Sequence, residues 1–114
     1  MKNYLMLFRN SNNAYLLTPE DMAREVPAWQ AWIGQIAAQG KLIVSQPIEF
    51  EGTLTSLKGQ EPGPYIDATN LLVAGFMVCK AESLDEVLAW SKTCPVLNYD
   101  QGSVEVRGLV PFPL

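Results

Sequence analysis

The stretch that most limits what this chain can become runs from Gly63 to Pro95, GPYIDATNLLVAGFMVCKAESLDEVLAWSKTCP. It holds a turn, an apolar run, a helix start and a helix stop. Leu71 to Val78 is almost continuously apolar and is the strongest strand candidate in the sequence. Gly75 interrupts that run, and a glycine inside a strand marks a bulge or a close backbone approach. Ser83-Leu84-Asp85-Glu86 reads as a capping box: the serine caps the helix and the glutamate reaches back to the serine amide. Leu84, Val87, Leu88 and Ser91 then form the expected inner face, and Cys94-Pro95 ends the helix.

Upstream, residues 3 to 8 (NYLMLF) predict a first strand, and Arg9 follows it. Thr18-Pro19-Glu20-Asp21 is a helix start, with a threonine N-cap, a proline at the first helical position and two acids in the first turn. Met22, Val26, Trp29, Ile33 and Ile36 recur in steps of four and three, one face of a helix that stops at Gly40. Pro27 interrupts it and predicts a bend or a late start. Leu42 to Val44 is a short strand candidate. Phe50 to Leu57 predicts one hairpin arm, and Lys58 to Pro64 reads as loop. Ser103 to Arg107 alternates as a final strand. The tail from Val110 to Leu114 has prolines that cannot donate to a ladder.

The order strand, helix, strand pieces, strand, helix, strand gives an α+β chain of two β-α-β halves, a ferredoxin-like antiparallel sheet with two helices on one face. At 114 residues, 48% of them hydrophobic, residues 1–114 make one domain with a core of its own. Such a sheet leaves its other face bare, and a homodimer through that open face covers it most simply. The formal charge of −4 with no histidine excludes a broad phosphate-binding face, so no nucleic-acid partner is expected. No apolar run is long enough to span a membrane, and the N-terminus lacks the apolar core and cleavage site of a signal peptide. A soluble, cytoplasmic protein with reduced thiols is expected. Cys79 and Cys94, fifteen residues apart with no histidine, do not read as a zinc site, and neither metal nor cofactor is expected.

The segments NYLMLFR, WIGQIAAQGKL, GPY, AGFMVCKAESLDEV, CP and GSVEVRGL, in that order, resemble the YCII-related, DGPF-type bacterial proteins. The resemblance implies a dimeric α+β barrel form of the ferredoxin-like fold, a largely unassigned biochemical function, and a link of some members to alternative sigma factors. The family's Asp-Gly-Pro-Phe stands here as Pro62-Gly63-Pro64-Tyr65, without its aspartate. The histidine-aspartate pair proposed for one branch has no counterpart in a chain without histidine.

Candidate ligand contacts are Tyr65, Asp67 and Asn70, which follow the turn and offer polar groups to a small polar ligand. Local turn bonding is the competing reading for Asp67 and Asn70. Arg9 and Arg107 end the first and last strand candidates and can hold a carboxylate or phosphate, or pair with nearby acids such as Glu105. Trp29 belongs to the helix's inner face and reads as core. Trp32, beside that stripe, is a candidate for a cleft wall or a dimer rim, against plain packing. No catalytic residue is assigned, and neither cysteine reads as a nucleophile. Three functions follow: a small-ligand-binding or regulatory homodimer, an enzyme acting on a small polar molecule near the Gly63–Tyr65 turn, or an interaction subunit linked to sigma-factor regulation.

Overall fold

The structure, a computed structural model, describes residues 1–16 and 18–113. Leu17 and the last tail residue, Leu114, lie outside that range. Strand β1 (Lys2–Ser11) and a short 3-10 turn lead into helix α1 (Pro19–Ala37) and strand β2 (Leu42–Pro47). Strands β3 (Gly52–Ser56) and β4 (Gly59–Gly63) follow, then β5 (Leu71–Ala81), helix α2 (Leu84–Ser91), a 3-10 turn (Pro95–Asn98) and β6 (Ser103–Gly108). Four strands form one antiparallel sheet in the order β2-β5-β1-β6, and β3 pairs with β4 in a second, two-stranded sheet. An α+β chain with two helices and such a sheet is consistent with a ferredoxin-like fold. The segment 58–64, expected as loop, supplies β4, because the backbone of Thr53 to Thr55 gives its edge a partner that composition alone does not show.

Alternation along β1 sorts the sheet into two faces. Tyr4, Met6, Phe8 and Asn10 are buried, while Leu5, Leu7, Arg9 and Ser11 between them are half-buried. Paired residues share a face, so Met77 and Cys79 of β5 join the buried side opposite Met6 and Tyr4. Trp32 and Ile36 of α1, Val87 and Trp90 of α2, and Cys94 and Val96 complete one core on that side. Both helices therefore belong to the same face. The other face carries Leu5 beside Val78, Leu7 beside Phe76, and Val44, all at least partly exposed.

Helix α1 starts where the sequence places it. Thr18 accepts from the Asp21 amide at 3.1 Å, and the Asp21 carboxylate accepts from the Thr18 amide at 3.1 Å. The helix runs through Pro27 without a late start. Pro27 and Ala23 both sit on the exposed side, where water can take the carbonyl that Pro27 leaves unpaired. Two expected inner faces shift. In α2 the buried side chains are Val87 and Trp90, whereas Leu84 and Leu88 are exposed. In α1 Trp32 and Ile36 are buried, whereas Met22 and Val26 are exposed. The Ser83 cap forms, but Glu86 bonds the Glu82 amide and Lys41 Nζ, the latter at 2.7 Å, rather than the serine amide.

The interruption at Gly75 is a bulge. Phe8 pairs with Gly75 and Arg9 with Val73, so Ala74 is the extra residue of β5. A Cβ on Gly75 would lie 3.2 Å from the Gln46 carbonyl and 3.3 Å from the Phe8 ring. The bulged strand thus lets β2 and Phe8 close on the backbone at this point.

Candidate functional site

Under the N-terminal half of α1 lies a cavity of about 550 Å³. Its floor is the bulge, Ala74 and Gly75, with Phe8 and Asn10 of β1. Its roof is Met22, Glu25, Val26, Trp29 and Ile33 of α1, and the ends are closed by Ser45 to Pro47, Phe50, Val96 and Tyr99. The apolar stripe of α1 explains it. Its C-terminal half seats Trp32 and Ile36 in the core, while its N-terminal half covers space rather than sheet. Phe8, Trp29 and Trp32 stack edge to face, with ring centres 5.1 to 5.8 Å apart, and form the wall between filled and empty halves.

Few polar groups reach this space. Glu25 has 13% of its side chain exposed; its Oε2 is buried and has no hydrogen-bond partner. Its Oε1 faces the Arg24 guanidinium at 3.9 Å, a weak contact. Asn10, the buried polar residue of β1, uses its Oδ1 to accept from the Ser11 amide at 2.8 Å. Its amide nitrogen donates to no described residue. Tyr99 is half-buried; burial, and then the charges of Glu25 and Asp21, push its hydroxyl above the usual pKa. Gly102 fixes this wall, since a Cβ there would overlap the Val96 carbonyl, and its amide donates to the Tyr99 carbonyl at 3.0 Å. Among the described residues no lysine or arginine lines the cavity. An acceptor-only carboxylate, an amide and a phenol in an apolar chamber can bind and orient a small amphiphilic molecule through its donor groups. Among the described residues no metal-binding cluster of acids and cysteines forms.

A description of the YCII-related domain matches residues 2–113. The chain belongs to the YCII-related family. No curated protein matches it significantly. Among solved structures it is similar to 5-chloro-2-hydroxyhydroquinone dehydrochlorinase (TftG) from Burkholderia phenoliruptrix AC1100, in complex with 2,5-dihydroxybenzoquinone. The two share 18% identity at a TM-score of 0.56, over 94% of this chain and 91% of the other, a likeness of fold.

In this YCII-related chain the residues singled out from sequence do not gather around the cavity. Tyr65 is 70% exposed. Asp67 Oδ1 accepts from the Thr69 amide and hydroxyl and from the Leu71 amide at 2.7 to 3.0 Å, and these bonds, the Thr69 hydroxyl first, hold its carboxyl below the usual pKa. Asn70 takes a left-handed conformation, φ 65°, and its carbonyl accepts from Asn12. The local turn thus occupies both. Arg9 pairs with Glu105 at 2.6 Å, and Arg107 is exposed opposite Leu5, on the sheet's open face. Trp32, expected at a cleft wall or rim, is a core residue, 4% exposed, with its indole N–H donated to the Trp90 carbonyl at 3.0 Å. Trp29, read as core, is the tryptophan that faces the cavity.

Glu25 was missed, although its signal is in the sequence. It precedes Trp29, Trp32 and Ile36 by four, seven and eleven residues, spacings that share one face of a helix. A glutamate on the apolar face of a helix is unusual, because acids are seldom buried unless paired. Burial pushes both thiols up, Cys79 to about 11 and Cys94 to about 12, so neither is a thiolate at neutral pH.

Proposed function

We propose that this YCII-related protein is a cytoplasmic homodimer, built of two β-α-β halves per protomer, that binds a small molecule beneath the N-terminal half of α1. The observation that carries this reading is a mostly apolar chamber of about 550 Å³ with Glu25, whose Oε2 is buried and unpartnered, in its lining. An acceptor left unpaired there costs about 1–3 kcal/mol, a burden that makes sense when a ligand supplies the donor. A second copy is the occupant proposed for the open sheet face. Leu5, Leu7, Val44, Val73, Phe76 and Val78 make its centre, and Arg9, Glu105 and Arg107 provide both signs of charge at one side, as a self-complementary contact requires.

Two experiments test this. Sedimentation should give a dimer that Phe76→Glu converts to a folded monomer; a wild-type monomer at high concentration rejects the assembly. A small aromatic fragment set followed by calorimetry should give ligands whose binding is blocked by Val26→Phe at the cavity mouth. Fragment binding indifferent to Val26→Phe rejects the cavity.

A second reading is favoured by the fold likeness to the dehydrochlorinase. In it, the cavity holds a hydroxylated aromatic ring and Glu25 accepts a proton from it. Chloride release from 5-chloro-2-hydroxyhydroquinone, lost in Glu25→Gln, supports that reading, and no release by the wild type removes it.

A further inference from the structure

The chemistry of the cavity limits its ligand more tightly than its size does. Among the described residues its lining has one charged side chain, that of Glu25, and no cation. Arg24 lies outside, 69% exposed, and reaches only the Oε1 side at 3.9 Å. A carboxylate with one oxygen buried and unpartnered gains from a positive or strongly donating group. An anionic ligand would meet like charge at short range, with Asp21 near the same mouth beside Tyr99. The aromatic residues Phe8, Trp29, Phe50 and Tyr99 line the same cavity as Glu25. Aromatic faces attract cations through their quadrupoles, and strongly so where water is excluded.

We infer that the cavity selects a protonated amine on an apolar, ring-sized body, with the ammonium at the Glu25 carboxylate and the body against Trp29 and Phe8. The inference rests on the ligand-binding reading above and adds the class of ligand to it. The ammonium has three N–H donors. One serves the Glu25 carboxylate, and Asn10 and Tyr99, which line the same cavity, offer further acceptor oxygens. The apolar body fills the chamber over the bulge, where Ala74 and Gly75 leave room that larger side chains would take.

The test uses three probes of one carbon framework: 2-phenylethylamine, 2-phenylethanol and phenylacetate. Binding to the full chain is followed by calorimetry and by Trp29 fluorescence, with Trp90→Phe as a check that the signal belongs to the cavity. The amine should bind at least tenfold tighter than the alcohol, and the carboxylate weakest. Glu25→Gln should bring the amine to within about twofold of the alcohol. Equal or tighter binding of the alcohol or carboxylate by the wild type overturns the amine inference and leaves the cavity reading intact. Amine preference that survives in Glu25→Gln also overturns it. Failure of all three probes to bind, in a protein whose circular dichroism shows a folded chain, overturns both.

Discussion

The two halves of α1 share one apolar stripe and one sheet face, yet they end in different states. The C-terminal half buries Trp32 and Ile36 against Met77, Cys79 and α2. The N-terminal half leaves Met22 54% and Val26 47% exposed above a chamber. The difference lies in what stands opposite. At the closed end α2 supplies Val87 and Trp90, and Lys41 pairs with Glu86 to tie the exit of α1 to α2. At the open end α2 is absent, the sheet bulges at Ala74, and the stripe contains an acid. Packing of an amphipathic helix is therefore a property of its surroundings as much as of its own pattern.

The largest contrast between the ends is expected from their tryptophans. Trp32→Ala should lower stability by about 3–5 kcal/mol in denaturant melts, since it opens the core and leaves the Trp90 carbonyl without its donor. Trp29→Ala should cost clearly less and instead weaken ligand binding. Equal losses from the two would erase the distinction. Next, Glu25→Leu should stabilise the protein by about 1–3 kcal/mol while binding is lost, because it removes an unpaired buried acceptor. A destabilised Glu25→Leu would mean that the carboxylate serves the fold. Gly102→Ala should cost about 1–3 kcal/mol by driving the Val96–Tyr99 wall away from β6, and the accompanying fall in ligand affinity separates it from a remote defect.

Acid should act on both ends. Asp21 at the start of α1 and Glu86 in α2 both have carboxyls below their ordinary values, held there first by the Thr18 amide and by Lys41 respectively. A depressed folded pKa gives stability that is full above the unfolded value and lost as pH falls through the folded one. Melting temperature should therefore hold from neutral pH to about 5 and drop below about 4. Lys41→Met should make that drop shallower, and an unchanged acid limb would remove the Lys41–Glu86 pair from the account. The smallest effect belongs to Val26→Ala, within about 0.5 kcal/mol, since its side chain roofs a void.

Much of the fold was legible from local signals. The caps at Thr18 and Ser83, the strand at Leu71 and the bulge beside Gly75 depend on a few adjacent residues, and those residues settle them. Strand β4 was not legible, because a Gly-Gln-Glu-Pro-Gly segment takes its order from β3 across the hairpin. The candidate site was half legible. Trp29 and Glu25 lie on a visible stripe, but which part of that stripe meets the sheet depends on α2 and Val96, far along the chain. The turn residues Asp67 and Asn70 looked like ligand groups because their polarity was visible and their local bonds to Thr69, Leu71 and Asn12 were not.

The measurement closest to the central claim is a crystallographic fragment soak that includes 2-phenylethylamine, read for where ligand density falls. The account predicts density beneath α1, within hydrogen-bond distance of the Glu25 carboxylate and in contact with Trp29. A chamber filled by the protein's own side chains, with ligand density at the Gly63–Asn70 turn instead, would contradict it.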